Sequence, residues 1–249
     1  MPRLLAALCM ACCAALPAAA LDLDALSDSE RAAFRSEVRA YLLENPEVLL
    51  EAIAALEDRQ GAAQSADDAE LVARNAEALF DDPLSWVGGN PDGDITVVEF
   101  VDYNCGFCRR ALPEVTGLLE ADPGVRLVMK ELPILGPDSE LASRFAIAVL
   151  QLAGDEAYFD AHERLLGLQS PVSAPAITRI GTEMGLEMEA ITARMQDPQV
   201  GAVIEANRAL AARLGVNGTP TFVVGDVIVR GYVPLDTMRA LVEDQREGG

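Results

Sequence analysis

Two cysteines stand two residues apart in the run Glu99-Phe-Val-Asp-Tyr-Asn-Cys105-Gly-Phe-Cys108-Arg109. The other three of the five cysteines, Cys9, Cys12 and Cys13, all lie within the first twenty residues. A bridge across two intervening residues closes so small a loop that it removes little entropy from the unfolded chain, so stability is a poor reason for the pair. Structural zinc wants four ligands, and beyond residue 20 the chain offers two cysteines and one histidine, His162. What a C-x-x-C pair does well is thiol–disulfide exchange. The attacking species is the thiolate, and a free cysteine with a pKa near ~8.5 is mostly protonated at neutral pH. The chemistry therefore requires a position that ionises one sulfur and keeps the second within reach.

The first turn of a helix is such a position. Unpaired backbone N–H groups and the positive end of the helix dipole favour a thiolate there, and Arg109 and Arg110 are expected to add to the field. A spacing of three places Cys108 on the same helical face, one turn deeper and shielded. Cys105 is thus the expected nucleophile and Cys108 the resolving thiol.

The flanking pattern supplies that setting. Ile95 to Val101 is a short β-branched run with turn formers before it, which predicts a buried strand, and Arg109 to Ala121 has helical composition. Val125 to Met129 predicts a second strand, and the connection is long enough for a helical crossover, so the two should be parallel. Near the C-terminus, Thr221 to Val224 and Val227 to Arg230 flank Gly225-Asp226 and predict an antiparallel hairpin, followed by a helix from about Pro234. Helical signals at 140–153, 156–168, 174–195 and 198–214 predict a four-helix insertion, about 135–214, between the two halves.

Residues 21–80 read as an acidic, Ala-rich helical extension. Phe34, Val38, Tyr41 and Leu42, then Leu49, Ile53 and Leu56, form a narrow apolar stripe. Asn45-Pro46 marks a helix boundary, and Gly61 to Ala69 is expected to interrupt the helix. A narrow stripe ahead of the main domain suits a partner helix better than a core. Asp81 to Asp94, rich in Pro, Gly and Asn, is expected to be a turn region opening a domain that spans 81–249.

Charge excludes one class of partner. With 19 basic against 40 acidic residues the net charge is -21, which repels phosphate backbones, so no nucleic-acid partner is expected. Residues 1–20 read as a signal peptide: Arg3, the uncharged run Leu4 to Leu16, and the small residues Ala18 to Ala20. That run is too short to span a membrane, and the residues before Cys9, Cys12 and Cys13 fit lipid attachment poorly.

The run from Glu99 to Arg109, with Pro113 beyond it and Gly218-Thr219-Pro220-Thr221 far downstream, resembles the thioredoxin superfamily, and more narrowly its periplasmic DsbA-like branch. Tyr41-Leu-Leu-Glu-Asn-Pro-Glu47 is similar to the N-terminal helices of ScsC- and Com1-like members. The resemblance implies an α/β thioredoxin fold (βαβ…ββα) with a helical insertion, and an exported oxidoreductase that forms or isomerises disulfide bonds in cysteine-containing periplasmic proteins. It implies no cofactor beyond the redox-active Cys105–Cys108 disulfide, a membrane redox partner of the DsbB or DsbD type, and self-assembly through residues 21–80. It also implies a cis bond at Thr219-Pro220, with residue 219 offering its backbone to an extended substrate next to Gly106 and Phe107. Gly106-Phe107, in place of the Pro-His of DsbA, implies a less oxidising couple. Pro113 implies a kinked active-site helix.

A carboxylate on a buried strand is costly unless paired, so Glu99 and Lys130, the only lysine, are expected to form a partly buried pair near Cys108. In the resemblance such a carboxylate moves the proton of the buried thiol. His162 is expected to be a packing or surface residue. The alternative function is Cu(I) binding or copper tolerance, because two soft thiolates suit that ion.

Overall fold

The computed structural model describes residues 26–248, so the expected signal peptide lies outside the described residues. The chain forms two compact units, one ending at Arg59 and one running from Gln60.

In the first unit, helix α1 (Asp28–Glu44) opens on a capping box in which Ser27 accepts from the Glu30 N–H and the Glu30 carboxylate accepts from the Ser27 N–H. It stops at Asn45, whose backbone N–H and side-chain amide both donate to the Tyr41 carbonyl, with Pro46 next. No residue of α1 is buried. Phe34, Val38 and Tyr41, with Leu49, Ile53 and Leu56 on helix α2 (Glu47–Arg74), are each more than two-fifths exposed. The expected interruption between Gly61 and Ala69 does not occur, because α2 runs through it. Its Ala, Gln, Asp and Glu are compatible with a helix, and one glycine costs only about 1 kcal/mol.

In the second unit a five-stranded sheet has the order β1-β3-β2-β4-β5. The strands are β1 (Trp86–Gly89), β2 (Ile95–Val101), β3 (Val125–Glu131), β4 (Thr221–Val224) and β5 (Val227–Arg230). As expected, β2 and β3 are parallel, and β4 and β5 form an antiparallel hairpin. Gly225 turns that hairpin with φ 57°, a conformation that glycine adopts without strain. Strand β1, antiparallel to β3, lies inside the segment expected to be only turns.

Helix α3 (Ala76–Phe80) precedes β1, and α4 (Gly106–Ala121) connects β2 to β3, running through Pro113. The insertion holds α5 (Pro137–Ala153), α6 (Asp155–Leu166), α7 (Ala174–Glu183), α8 (Met188–Met195) and α9 (Pro198–Arg213), and α10 (Leu235–Gly248) closes the chain. The insertion thus has five helices where four were expected, because Gly185 at φ 72° divides 174–195.

Alternation along the strands splits the core. Val97, Val101, Leu127, Met129 and Phe222 pack with residues of α4, α5, α6 and α10 on one face. Val98, Phe100, Val128, Leu132 and Val223 pack with Val72, Leu79, Leu210 and Leu214 on the other. Asp68 near the end of α2 takes both forks of the Arg230 guanidinium at 2.8 and 2.9 Å. Residues 60–80 therefore help build the second core, although the sequence pattern assigned them to the N-terminal extension.

Candidate active site

Cys105 is the N-cap residue of α4, with extended backbone, where β2 hands over to the helix. Both cysteines are free thiols and buried, Cys108 completely. The Cys105 pKa is pushed down to about 5, first by a hydrogen bond from the Cys108 thiol, with burial opposing. The Thr219 side chain and the backbone N–H groups of Cys108 and Phe107 add to the lowering. The Cys108 and Phe107 N–H groups are the unpaired donors of a helix N-terminus, aimed at sulfur. Burial drives the Cys108 thiol far upward, aided by its bond to Cys105 and the nearby Glu99. One site thus holds a ready thiolate above a thiol that keeps its proton.

In its protonated form the Cys105 thiol donates to the Thr219 carbonyl at 3.0 Å, across the cis Thr219-Pro220 bond. That loop is held by the Thr221 hydroxyl, which donates to the Gly218 carbonyl at 2.8 Å, and by the Gly231 N–H, which donates to the Pro220 carbonyl at 2.9 Å. Gly106 and Phe107 are exposed beside the sulfur. Arg110 lies over the Tyr232 ring, 4.4 Å from its centroid, and 5.8 Å from that of Phe107. Cys105, Cys108, Gly106, Phe107, Thr219 and Pro220 therefore converge on one site.

The expected Glu99–Lys130 pair does not form. In the parallel ladder Glu99 is level with Met129 and Phe100 with Lys130, so Glu99 and Lys130 point to opposite faces of the sheet. Lys130 is fully buried and bonds the Asp82 carboxylate at 2.8 Å. Removing its partner would strand a buried ammonium, so Asp82→Ala is expected to cost about 3 kcal/mol in urea unfolding. An unchanged midpoint would show that the pair contributes nothing.

Glu99 stays on the cysteine face, buried, and its pKa is pushed up to about 8 by burial first, then by the charges of Glu131 and Cys105. Glu131 is a neighbour that sequence reasoning missed. It ends β3, two residues beyond the partner of Glu99, and therefore shares its face. Its Oε1 accepts from the Tyr103 and Tyr158 hydroxyls and its Oε2 from Ser143, all at 2.7 Å. No local signal marked it, because Lys130 separates it from the apolar run Val125 to Met129 and its donors come from other elements. His162 is buried in the same cluster, 3.2 Å from the Tyr103 oxygen, in agreement with a packing role. Among the described residues no group of three or more His, Cys, Asp or Glu side chains is placed to hold a metal. No helix among them is long and apolar enough to cross a membrane.

Similarity to known proteins points the same way. A DSBA-like thioredoxin domain model matches residues 96–243, and a model described as the copper resistance protein ScsC N-terminal domain matches residues 30–63. The solved structure of a thioredoxin-like oxidoreductase from Silicibacter pomeroyi is 46% identical, covers 69% of this chain and 97% of its own, and superposes with a TM-score of 0.65. That of Proteus mirabilis ScsC in a transitional conformation is 29% identical, covers 91% of this chain and 99% of its own, with a TM-score of 0.66. Among curated relatives, Na(+)/H(+) antiporter NhaA 3 of Salinispora tropica is 28% identical over 63% of this chain, which spans only 24% of that protein's length. With a thiolate and its resolving thiol at a strand-to-helix junction, and a family match across more than half of its length, the chain belongs to the DsbA-like thioredoxin family of thiol–disulfide oxidoreductases.

Proposed function

We propose that the protein is exported to the periplasm and there forms or isomerises disulfide bonds in cysteine-containing proteins through Cys105 and Cys108. The observation that carries this is the Cys105 sulfur at the α4 N-terminus, depressed to about 5, beside the Thr219 carbonyl and above a protonated Cys108. In the oxidising direction a client thiolate attacks Cys105 and breaks the Cys105–Cys108 bond, and the electron pair goes to the Cys108 sulfur, which takes a proton from Glu99. A second client thiolate then attacks the mixed disulfide, forming the client disulfide and releasing Cys105 as thiolate. Reoxidation or reduction of the pair falls to a membrane partner of the DsbB or DsbD type, and the pair itself serves in place of any cofactor. Thr219, Pro220, Gly106 and Phe107 meet the client, whose extended backbone suits the Thr219 carbonyl. Copper binding by the two thiolates is less well supported, since the family match is to thiol–disulfide exchange.

Self-assembly through the N-terminal helices belongs to the same proposal. An unburied α1 and the exposed row Phe34, Val38, Tyr41, Leu49, Ile53 and Leu56 support it. Several active sites on one assembly hold a client while it is reshuffled, which favours isomerisation. The test compares the chain without residues 1–20 with a form starting at Gln60. A cut at residue 81 would strip Val72 and Leu79 from the second core. The shorter form is expected to be a monomer that still oxidises dithiol peptides and loses most of its activity on scrambled ribonuclease. Equal ribonuclease activity in both forms, or monomers in both, would contradict the assembly reading.

A further inference from the structure

The cysteine face of the sheet carries more buried acid than two thiols require. Glu99 on β2, Glu131 on β3 and Asp102 just after β2 are all buried. Asp102 is held by loop amides: it accepts from the N–H groups of Asn104, Ile134 and Leu135 at 2.9, 2.8 and 3.0 Å. The two glutamates differ in their partners. Glu131 receives three hydroxyl bonds, two on Oε1 and one on Oε2. That acceptor-only arrangement fits the ionised carboxylate, because a protonated one would have to donate. For Glu99, burial and neighbouring charge are not offset by any hydrogen-bond donor among the described residues.

Among the described residues no cation balances this cluster. His162 is pushed down to about 3 by burial and is neutral at neutral pH. Because the Tyr103 hydroxyl gives its proton to Glu131, the His162 Nδ1 that meets it at 3.2 Å must be the N–H donor, which fixes the tautomer. Tyr103 and Tyr158 are raised by burial and by Glu131, so both stay as hydroxyls. The groups facing the glutamates are thus Tyr103 and Asp102 from the loop after β2, Cys105 and Cys108 from α4, Ser143 from α5, and Tyr158 and His162 from α6. Two like charges at this depth cannot both be held cheaply, so one carboxyl must carry the charge and the other the proton.

We propose that Glu131 is a positioning residue for the exchange reaction: with Tyr103, Tyr158 and Ser143 all donating to it, it is the first of the two buried glutamates to take the charge and leaves Glu99 with the proton that Cys108 receives. This rests on the assignment of Cys105 and Cys108 as the exchange centre. When the Cys105–Cys108 bond breaks, the proton moves from the Glu99 carboxyl to the Cys108 sulfur, and water later restores it. Glu131 touches neither client nor sulfur in this step and acts through Glu99.

The test follows Glu99 directly in the full chain labelled with carboxyl carbon-13 glutamate, its resonance assigned by Glu99→Gln, with single-turnover oxidation of a dithiol peptide measured alongside. In Glu131→Gln the Glu99 midpoint is expected to fall by about one pH unit or more, and the pH above which oxidation slows falls with it. A folded Glu131→Gln protein whose Glu99 midpoint is unmoved overturns the proposal, whatever its stability. If that variant does not fold, Tyr158→Phe takes its place. Loss of one hydroxyl donor is then expected to move the Glu131 midpoint upward, and an unmoved midpoint again overturns the proposal. A parent chain with no exchange activity at any pH would instead remove the assignment on which the proposal rests.

Discussion

Replacing Cys105 by serine is expected to lower turnover of insulin or scrambled ribonuclease by at least about 1,000-fold, because it removes the only sulfur among the described residues that is placed to attack. Cys108 cannot substitute, since it is fully buried and its thiol is held protonated. Cys108→Ala has a different signature. The Cys105 sulfur still attacks a client disulfide, but the resolving thiol is gone, so a covalent adduct accumulates and is seen by mass spectrometry under non-reducing conditions. Comparable turnover by Cys105→Ser, or an adduct on residue 108 in a Cys105→Ala protein, would reverse the assignment of roles.

The second large effect is on stability. In the oxidised protein Cys105 does not titrate, so the buried carboxyls dominate its pH dependence on this face. Glu99 ionises near 4.5 in the unfolded chain and, with both thiols free, near 8 in the folded one; the disulfide removes the Cys105 charge, the last of its three causes, and leaves burial and Glu131 holding it up. Below 4.5 both states hold the proton and Glu99 contributes no pH dependence. Above 4.5 the unfolded state releases its proton before the folded one does, so stability falls as pH rises, by at most about 5 kcal/mol for this residue. Glu131, raised to about 7 chiefly by burial, adds a slope of the same sign over a shorter window. Glu99→Gln is expected to flatten most of the decline between pH 5 and pH 8 in urea unfolding of the oxidised protein. A decline as steep as in the parent would mean that Glu99 titrates in the folded state much as it does when unfolded. In the reduced protein the depressed Cys105 thiol works the other way, adding stability as pH rises from about 5 toward its ordinary value.

The parts of the fold that were legible in the sequence are those whose local pattern and tertiary role agree. Ile95 to Val101 is β-branched and buried on both faces of a central strand, and Gly225-Asp226 is a turn that only one geometry suits. The Cys105–Cys108 spacing carries its chemistry with it, and the distant Thr219-Pro220 was brought to it by family resemblance rather than by local pattern. What was hidden depends on pairing between segments. Strand β1 has two apolar residues and two glycines, and only its bonding to β3 makes it a strand. Lys130 was matched to Glu99 by charge, but register decides the face, and one residue of offset sent the lysine to Asp82. Glu131 was unreadable because its three donors come from the loop after β2, from α5 and from α6, which no spacing connects. Gly61 misled in the opposite sense, since a lone glycine is a weaker break than the favourable residues around it.

The central claim is that the Cys108 thiol beneath it and the helix N–H groups around it make one sulfur a nucleophile at neutral pH. Iodoacetamide alkylation of the reduced protein across pH 3 to 10, with Cys105 as the monitored site, measures it most directly. The rate is expected to reach half its plateau near pH 5 and to be flat from pH 7 upward. A rate that climbs through pH 8 to 9, as for an unperturbed thiol with a pKa near ~8.5, would contradict the account.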